Sequence, residues 1–223
     1  MPIKIPFPEL QVNFSFILSE IRSLYLQDAL MATVQSMDIA VIDRELAEYV
    51  PSKYLSLLAG RGLRGELVFA VPCIIEATPR LLGYYRLLLG FSQKAFYSSE
   101  LGISSFAGME NKGIMSKANK EILPELCREL VKSACGLLDG INTDFINHLF
   151  LDDLTLLTLG PQLRGGANVK RGTKGIITVF KVIFDIVKHA VIISKPNYIE
   201  INNAAGRKVL IEFSFDPDIM ICE

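Results

Sequence analysis

The sequence predicts an α+β chain: a mainly helical N-terminal region, residues 1–165, followed by a C-terminal region, residues 166–223, that ends in β-strands. Three observations predict this. Before residue 160, apolar side chains recur at helical spacing in one segment after another. Tyr198–Ile219 reads instead as two short strands joined by a turn containing Gly206 and running into Pro217-Asp218. Between these regions, Gly160–Gly172 breaks the period with glycines, a proline and basic residues, and is expected as a connection. With 223 residues, 50% of them hydrophobic and 21% charged, the chain has material for a substantial core in one large domain or two small ones.

Phe14–Val34 is the first expected helix, with Phe14, Ile17, Ile21, Leu24, Met31 and Val34 on one stripe. A second runs from Ile39 to Val50, where Pro51 disfavours helix in the residue before it. Ser52 is placed to cap a third through Leu58, stopped by Gly60 and Gly62. Leu67–Val71 is an apolar run ended by Pro72, expected as a strand or extended segment. Thr78-Pro79 supplies an N-cap and a proline at the first helical position. The helix it opens carries Leu81, Leu82, Tyr84, Tyr85, Leu87, Leu88 and Leu89, and so few polar residues that burial on most sides is expected. Residues 98–120, rich in Ser, Gly, Asn and Lys, are expected as a long loop. Glu121–Leu138 is an amphipathic helix with Ile122, Leu126, Leu130, Val131, Ala134 and Leu138 inward. Thr143 caps the next, to Leu159, with Ile146, Leu149, Phe150, Leu154 and Leu157 on its apolar face. Thr173–His189 is the last helix, and its polar face carries Lys174, Thr178, Lys181, Asp185 and Lys188.

A net charge of −1 argues against attachment to nucleic acid through overall charge and leaves a local basic face as the route. Cys73, Cys127, Cys135 and Cys222 lack metal-ligand spacing, three of them sit in apolar surroundings, and they read as buried free thiols of a reducing compartment. Met1–Pro6 opens without the sustained apolar run of a signal peptide. The most hydrophobic stretch, Ile176–Ile193, contains Lys181, Asp185, Lys188 and His189, too polar for a membrane span. A soluble, cytoplasmic protein is expected. His148 and His189 stand far apart without local partners and are expected to be structural or surface residues.

Two places can carry chemistry. Pro217-Asp218, at the lip of a strand after a long helix, is how the metal-binding half of a PD-(D/E)xK nuclease site begins, although a Pro-Asp pair also marks ordinary turns. Glu200 and Glu212 on neighbouring strands, and a helix with a basic face before them, give it a setting. In such sites carboxylates hold Mg²⁺ through oxygen, and the ion polarises the phosphate and supplies hydroxide near neutral pH. A single Asp cannot do this. The acid-x-Lys half of the motif is missing after Asp218; Glu110-Asn111-Lys112 has the spacing but lies upstream. The other place is Arg164–Arg171. Gly165, Gly166 and Gly172 let a backbone approach closely, and Arg164, Lys170 and Arg171 suit phosphates or guanine edges. A solvated interhelical loop is the plain alternative, and no P-loop motif is present.

Pro79–Lys94, Leu157–Gly166 and Phe215–Ile219 resemble, in that order, segments of the XcyI-type family of type II restriction endonucleases. The resemblance implies a restriction-endonuclease-like PD-(D/E)xK sheet at the C-terminal end, with the nuclease core starting at residue 166. It implies Mg²⁺-dependent cleavage of double-stranded DNA at a CCCGGG palindrome, with Asp218 as the catalytic and metal-binding carboxylate. A palindromic target implies a homodimer, and restriction implies a cognate DNA methyltransferase as genetic partner. Arg164, Lys170 and Arg171 are the expected DNA contacts, with Arg86, Lys94 and Arg64 behind them. Because the partner acid and lysine have no counterpart, the chain is expected to be an N-terminal portion, inactive by itself. Set against this reading is a non-catalytic helical module for DNA binding or protein interaction, supported by the clean amphipathic helices and the unfinished motif.

Overall fold

The computed structural model describes residues 3, 5, 7–195, 198–213 and 219–222, with the side chains of 168–175, 213 and 219 outside that description. The chain divides into two compact units, Met1–Gln162 and Leu163–Glu223. Its helices are α1 Glu9–Tyr25, α2 Gln27–Gln35, α3 Ile39–Tyr49, α4 Ser52–Gly60, α5 Pro72–Ala77, α6 Leu82–Leu88, α7 Gln93–Phe96, α8 Ala107–Lys112, α9 Lys117–Gly140 and α10 His148–Val187. The strands are β1 Val191–Lys195, β2 Tyr198–Asn202, β3 Lys208–Phe213 and β4 Ile219–Cys222. The α+β class stands.

In the first unit, the first expected helix is two. Leu26 takes an extended backbone (φ −99°, ψ −163°) that ends α1, and its side chain is fully buried. Of the expected stripe, Ile21 and Val34 are buried, whereas Ile17 and Met31 are both 37% exposed. Asp38 caps α3 by accepting from the Ala40 N–H at 3.0 Å. Pro51 precedes α4, so Ser52 is its first residue rather than its cap.

Val68–Val71 is buried but paired in no strand: Val68 closes a turn (φ −120°, ψ −33°) and Val71 is extended (φ −123°, ψ 150°). A buried backbone outside a ladder needs other partners for its polar groups. Two tyrosines of α6 supply them next door: Tyr84 Oη donates to the Leu67 carbonyl at 2.7 Å and Tyr85 Oη to the Glu66 carbonyl at 2.8 Å. Every residue of α6 is buried, as its near-absence of polar residues predicts. Residues 98–120 are not a loop. They form 3-10 turns at Ser99–Leu101 and Ser104–Phe106, then α8 and the start of α9, whose cap is Ser116. Gly102 and Gly113, at φ +69° and +70°, reverse the chain between these short pieces, and each piece is too brief to show a period. On α9, Leu126, Leu130, Val131, Ala134 and Leu138 are buried as expected, while Ile122 is exposed.

The largest departure is α10. The residues expected as a connection, Gly160–Gly172, lie inside one helix of 40 residues. Extending a helix adds one hydrogen bond per residue fixed, whereas nucleating a second is costly, so strong helical patterns on both sides carry the helix through weak positions. Its start lies beyond Thr143, which falls in a 3-10 turn capped by Asn142. Its buried face is Leu151, Thr155 and Leu159; Leu149 and Leu157, expected inward, are 77% and 71% exposed.

In the second unit, α10 is followed by a short 3-10 turn, Lys188–Ala190, and an antiparallel meander of order β1-β2-β3-β4. β1, absent from the sequence expectation, joins β2 with an irregularity between Val191 and Ile193. The β2–β3 turn is built by Asn203, whose Oδ1 accepts from the backbone N–H of Ala205 and Arg207 at 3.0 and 2.9 Å, and by Gly206 at φ +73°.

Candidate functional site

The sheet carries the charged residues that adjoin Pro217-Asp218 in the sequence. Register sets Tyr198 opposite Glu212, Glu200 opposite Leu210 and Asn202 opposite Lys208, so all six share one face. Ile199, Ile201, Val209 and Ile211 take the other face, where Ile199 and Ile211 are buried. Lys195 of β1 adjoins Tyr198, with its ammonium 5.1 Å from the ring centroid, and Met220 of β4 adjoins Glu212. Glu200 and Glu212 thus lie on one surface. Glu200 is not a free carboxylate, because Lys208 Nζ stands 2.7 Å from its Oε1. Pro217 and Asp218 lie outside the described residues; β4 begins at the next residue, Ile219. Among the described residues no group of three His, Cys, Asp or Glu side chains is placed to hold a metal ion. The described carboxylates alone do not make the oxygen cage a divalent cation needs.

Of the expected DNA contacts, Arg164 is exposed on α10. Lys170 and Arg171 belong to the same helix by backbone, and their side chains lie outside the described residues. Positions 164 and 171 are two turns apart on one helix face. Lys94 is exposed on α7. Arg64 is half exposed but engaged, with Nη2 2.7 Å from Asp43 and Nε 2.6 Å from the buried Glu66.

Arg86 corrects the expectation outright. Its side chain is 2% exposed and makes a bidentate pair with Glu110, Nε to Oε2 at 2.9 Å and Nη2 to Oε1 at 2.8 Å. Its remaining donor, Nη1, meets the Phe91 carbonyl and, at 3.4 Å, Gln162 Oε1. Tyr97 Oη donates to Glu110 Oε2 at 2.7 Å, and Gln93 Nε2 reaches Oε1 at 3.3 Å. Burial, and then the Glu110 charge, raise the Tyr97 hydroxyl well above the ordinary tyrosine range. The pair ties α6, α7 and α8 together inside the first unit. Nothing in the spacing of Arg86, Gln93, Tyr97 and Glu110 announces it; the one available signal is a lone Arg in an otherwise apolar helix, which needs an acid from elsewhere. Glu110 is therefore a structural carboxylate, and Glu110-Asn111-Lys112 sits on α8 rather than on a sheet.

The cysteines are free, but of the four expected buried only Cys127 is; Cys73 and Cys135 are half-buried and Cys222, on the last strand, is exposed. Burial, with the Glu45 carboxylate adding to it, pushes the Cys73 thiol up to about 12, and burial raises Cys127 further. Neither is an activated nucleophile. His148 Nδ1 lies 2.9 Å from Gln27 Nε2, a structural contact.

The XcyI restriction endonuclease family model matches residues 16–223. The chain belongs to that family. It is 52% identical over 223 residues to the type II restriction enzyme XcyI of Xanthomonas campestris pv. cyanopsidis, covering 99% of this chain and 67% of the relative. It is also 52% identical over 223 residues to the type II restriction enzyme Cfr9I of Citrobacter freundii, covering 99% of this chain and 68% of that relative. No solved structure matches. Membership of the XcyI family makes the chain a type II site-specific deoxyribonuclease by class, and the non-catalytic module gives way to that reading. Among the described residues no helix is long and apolar enough to cross a membrane.

Proposed function

We propose that this XcyI-family chain belongs to a homodimeric, Mg²⁺-dependent endonuclease that cuts double-stranded DNA at a CCCGGG-type palindrome, with a cognate cytosine methyltransferase protecting the host's own sites. The observation that carries the reading is 52% identity over 99% of the chain to two type II restriction enzymes. Two physical features support it: a long helix with basic residues leads into the sheet, and Pro217-Asp218 directly precedes the last strand of that sheet. In this reading residues 166–223 begin the nuclease core, and Asp218 is a metal-binding carboxylate. Bound Mg²⁺ would supply Lewis-acid activation of the phosphate.

Arg164, Lys170 and Arg171 are proposed to meet the DNA. Arginine forks suit guanine O6 and N7, which a CCCGGG site presents three to a strand in the major groove. Lys94 is proposed as a phosphate contact. Arg64 can join only by giving up Asp43 or Glu66, and Arg86 has no place at a DNA surface.

The test is cleavage of a plasmid bearing one CCCGGG site, with and without Mg²⁺, for the 223-residue chain and for the product of the complete gene. Cutting at that site, lost on Asp218→Ala by about a thousandfold or more, is the expected result for whichever product is active. Arg164→Ala is expected to weaken binding to the CCCGGG site by about 1–3 kcal/mol, and Lys94→Ala to weaken binding to any sequence and lower its salt dependence by about one counterion. Undiminished cutting by the Asp218→Ala variant overturns the site assignment, and cutting at unrelated sequences overturns the target.

A further inference from the structure

The division between the two compact units falls within α10, immediately after Gln162. The helix is least helix-prone at that place. Pro161 has no N–H to bond the Leu157 carbonyl, and its ring crowds that carbonyl. Gly160, Gly165 and Gly166 each disfavour helix about fivefold relative to alanine.

Neither packing nor backbone geometry calls for these glycines. A Cβ added at any of the three meets no atom within 4 Å, whereas at Gly65 it would lie 2.8 Å from Leu55 and at Gly83 3.0 Å from Tyr25. The glycines that need a positive φ are Gly62, Gly90, Gly102, Gly113 and Gly206, none of them in α10. Gly160, Pro161, Arg164, Gly165 and Gly166 are all exposed, so at these positions no burial compensates for weak helix propensity. Upstream the helix is held. Leu151, Thr155 and Leu159 are buried, and Gln162 Nε2 donates to the Thr158 carbonyl at 2.7 Å while its Oε1 faces Arg86 and the Gln93 N–H. A gripped segment thus passes directly into an ungripped one.

We propose that the turn Leu163–Gly166 of α10 is a hinge: it opens locally in the free protein, and the helix bends there as DNA is engaged. The first part is a property of the chain alone. The second rests on the DNA-cleaving reading above.

Hydrogen–deuterium exchange of the free 223-residue chain, compared with the Gly165→Ala/Gly166→Ala variant, separates the two. Amides of residues 164–167 are expected to exchange at least a hundredfold faster than those in the middle of α9. In the variant they should slow at least tenfold, since two glycines are replaced by the strongest helix former. The variant is also expected to melt at a higher temperature and to cut DNA at least tenfold more slowly, when both are made in the form that is active. Protection of 164–167 equal to that of α9 overturns the hinge, whatever the protein cuts. Fast exchange in the wild type with full cutting by the stiffened variant overturns the coupling to DNA. A wild type that cuts no DNA in either form overturns the proposed function instead, and the exchange result alone then decides the hinge.

Discussion

Arg86 and Glu110 are 2% and 5% exposed at their side chains, so the consequence of losing one is set by what it leaves behind. A buried ion pair need not add stability over an apolar pair, but an uncompensated buried charge is costly. Glu110→Ala is expected to destabilise the first unit by about 3–5 kcal/mol in urea unfolding, and Gly83→Ala, whose Cβ would press on Tyr25 and Glu110 at 3.0 and 3.1 Å, by about 1–3 kcal/mol. A smaller loss for Glu110→Ala than for Gly83→Ala would mean that the pair is solvated. The neighbouring hydroxyls add a pH dependence. Tyr97, Tyr84 and Tyr85 are all raised from 10.0, each first by burial, and Cys73 and Cys127 are raised from 9.0. A raised acid group binds its proton more tightly in the folded state. Its contribution is complete below the unfolded value and is lost as pH rises toward the folded one. Urea midpoints should therefore carry the full contribution of these groups, unchanging with pH, at pH 7–8, begin to fall near pH 9 as the thiols enter, and fall faster above pH 10. Tyr97→Phe is expected to flatten the second part of that fall.

Helix α10 shows at the scale of an element what the sequence does and does not disclose. Its two ends are legible because apolar residues recur there at helical spacing. The middle is not, since Gly160, Pro161, Gly165 and Gly166 carry the composition of a loop and are helical only by propagation from both sides. Its inward face was misplaced for a different reason. Leucines stand at 149, 151, 154, 156, 157 and 159, so several stripes are equally apolar, and the choice falls to tertiary contacts that bury Thr155 beside Leu151 and Leu159. The buried α6 was legible from Leu81–Leu89 alone, and the β2–β3 hairpin from alternation around Gly206. β1 was not, because Val191–Lys195 has four of its five residues exposed and no alternation. Within the candidate site, the sequence puts Glu200 and Glu212 on neighbouring strands, whereas their common face and the Lys208 that occupies Glu200 required the register. The face assignment on α10 has a direct check. Leu151→Ala and Leu159→Ala should each cost about 2–5 kcal/mol, while Leu149→Gln and Leu157→Gln should stay within about 0.5 kcal/mol of wild type. Equal losses in the two sets would place the helix in a different rotation.

The two units of the whole molecule differ most in how much apolar surface each removes from water. Residues before 162 supply a continuous core drawn from α2 to α10. Among the described residues of the second unit, only Ile199 and Ile211 are buried apolar side chains, while Ile177, Val182, Ile186, Ile192 and Ile221 are exposed. Burial contributes roughly 25 cal/mol per Å² of apolar area, so local opening should require far less free energy in residues 163–223 than in the first unit. Trypsin reads this difference, because it cuts where the backbone opens. Arg164, Lys181, Lys188, Arg207 and Lys208 offer sites throughout the second unit, and the first unit has its own on surface helices. Dilute trypsin on the native 223-residue chain is expected to cut within 163–208 first and to leave a resistant fragment ending near Arg164. Mass spectrometry of the digest gives its boundary. Cleavage starting at Arg61, Arg128 or Lys132, at a rate equal to that in the second unit, would show one cooperative body in which α10 and the sheet are as well supported as α6.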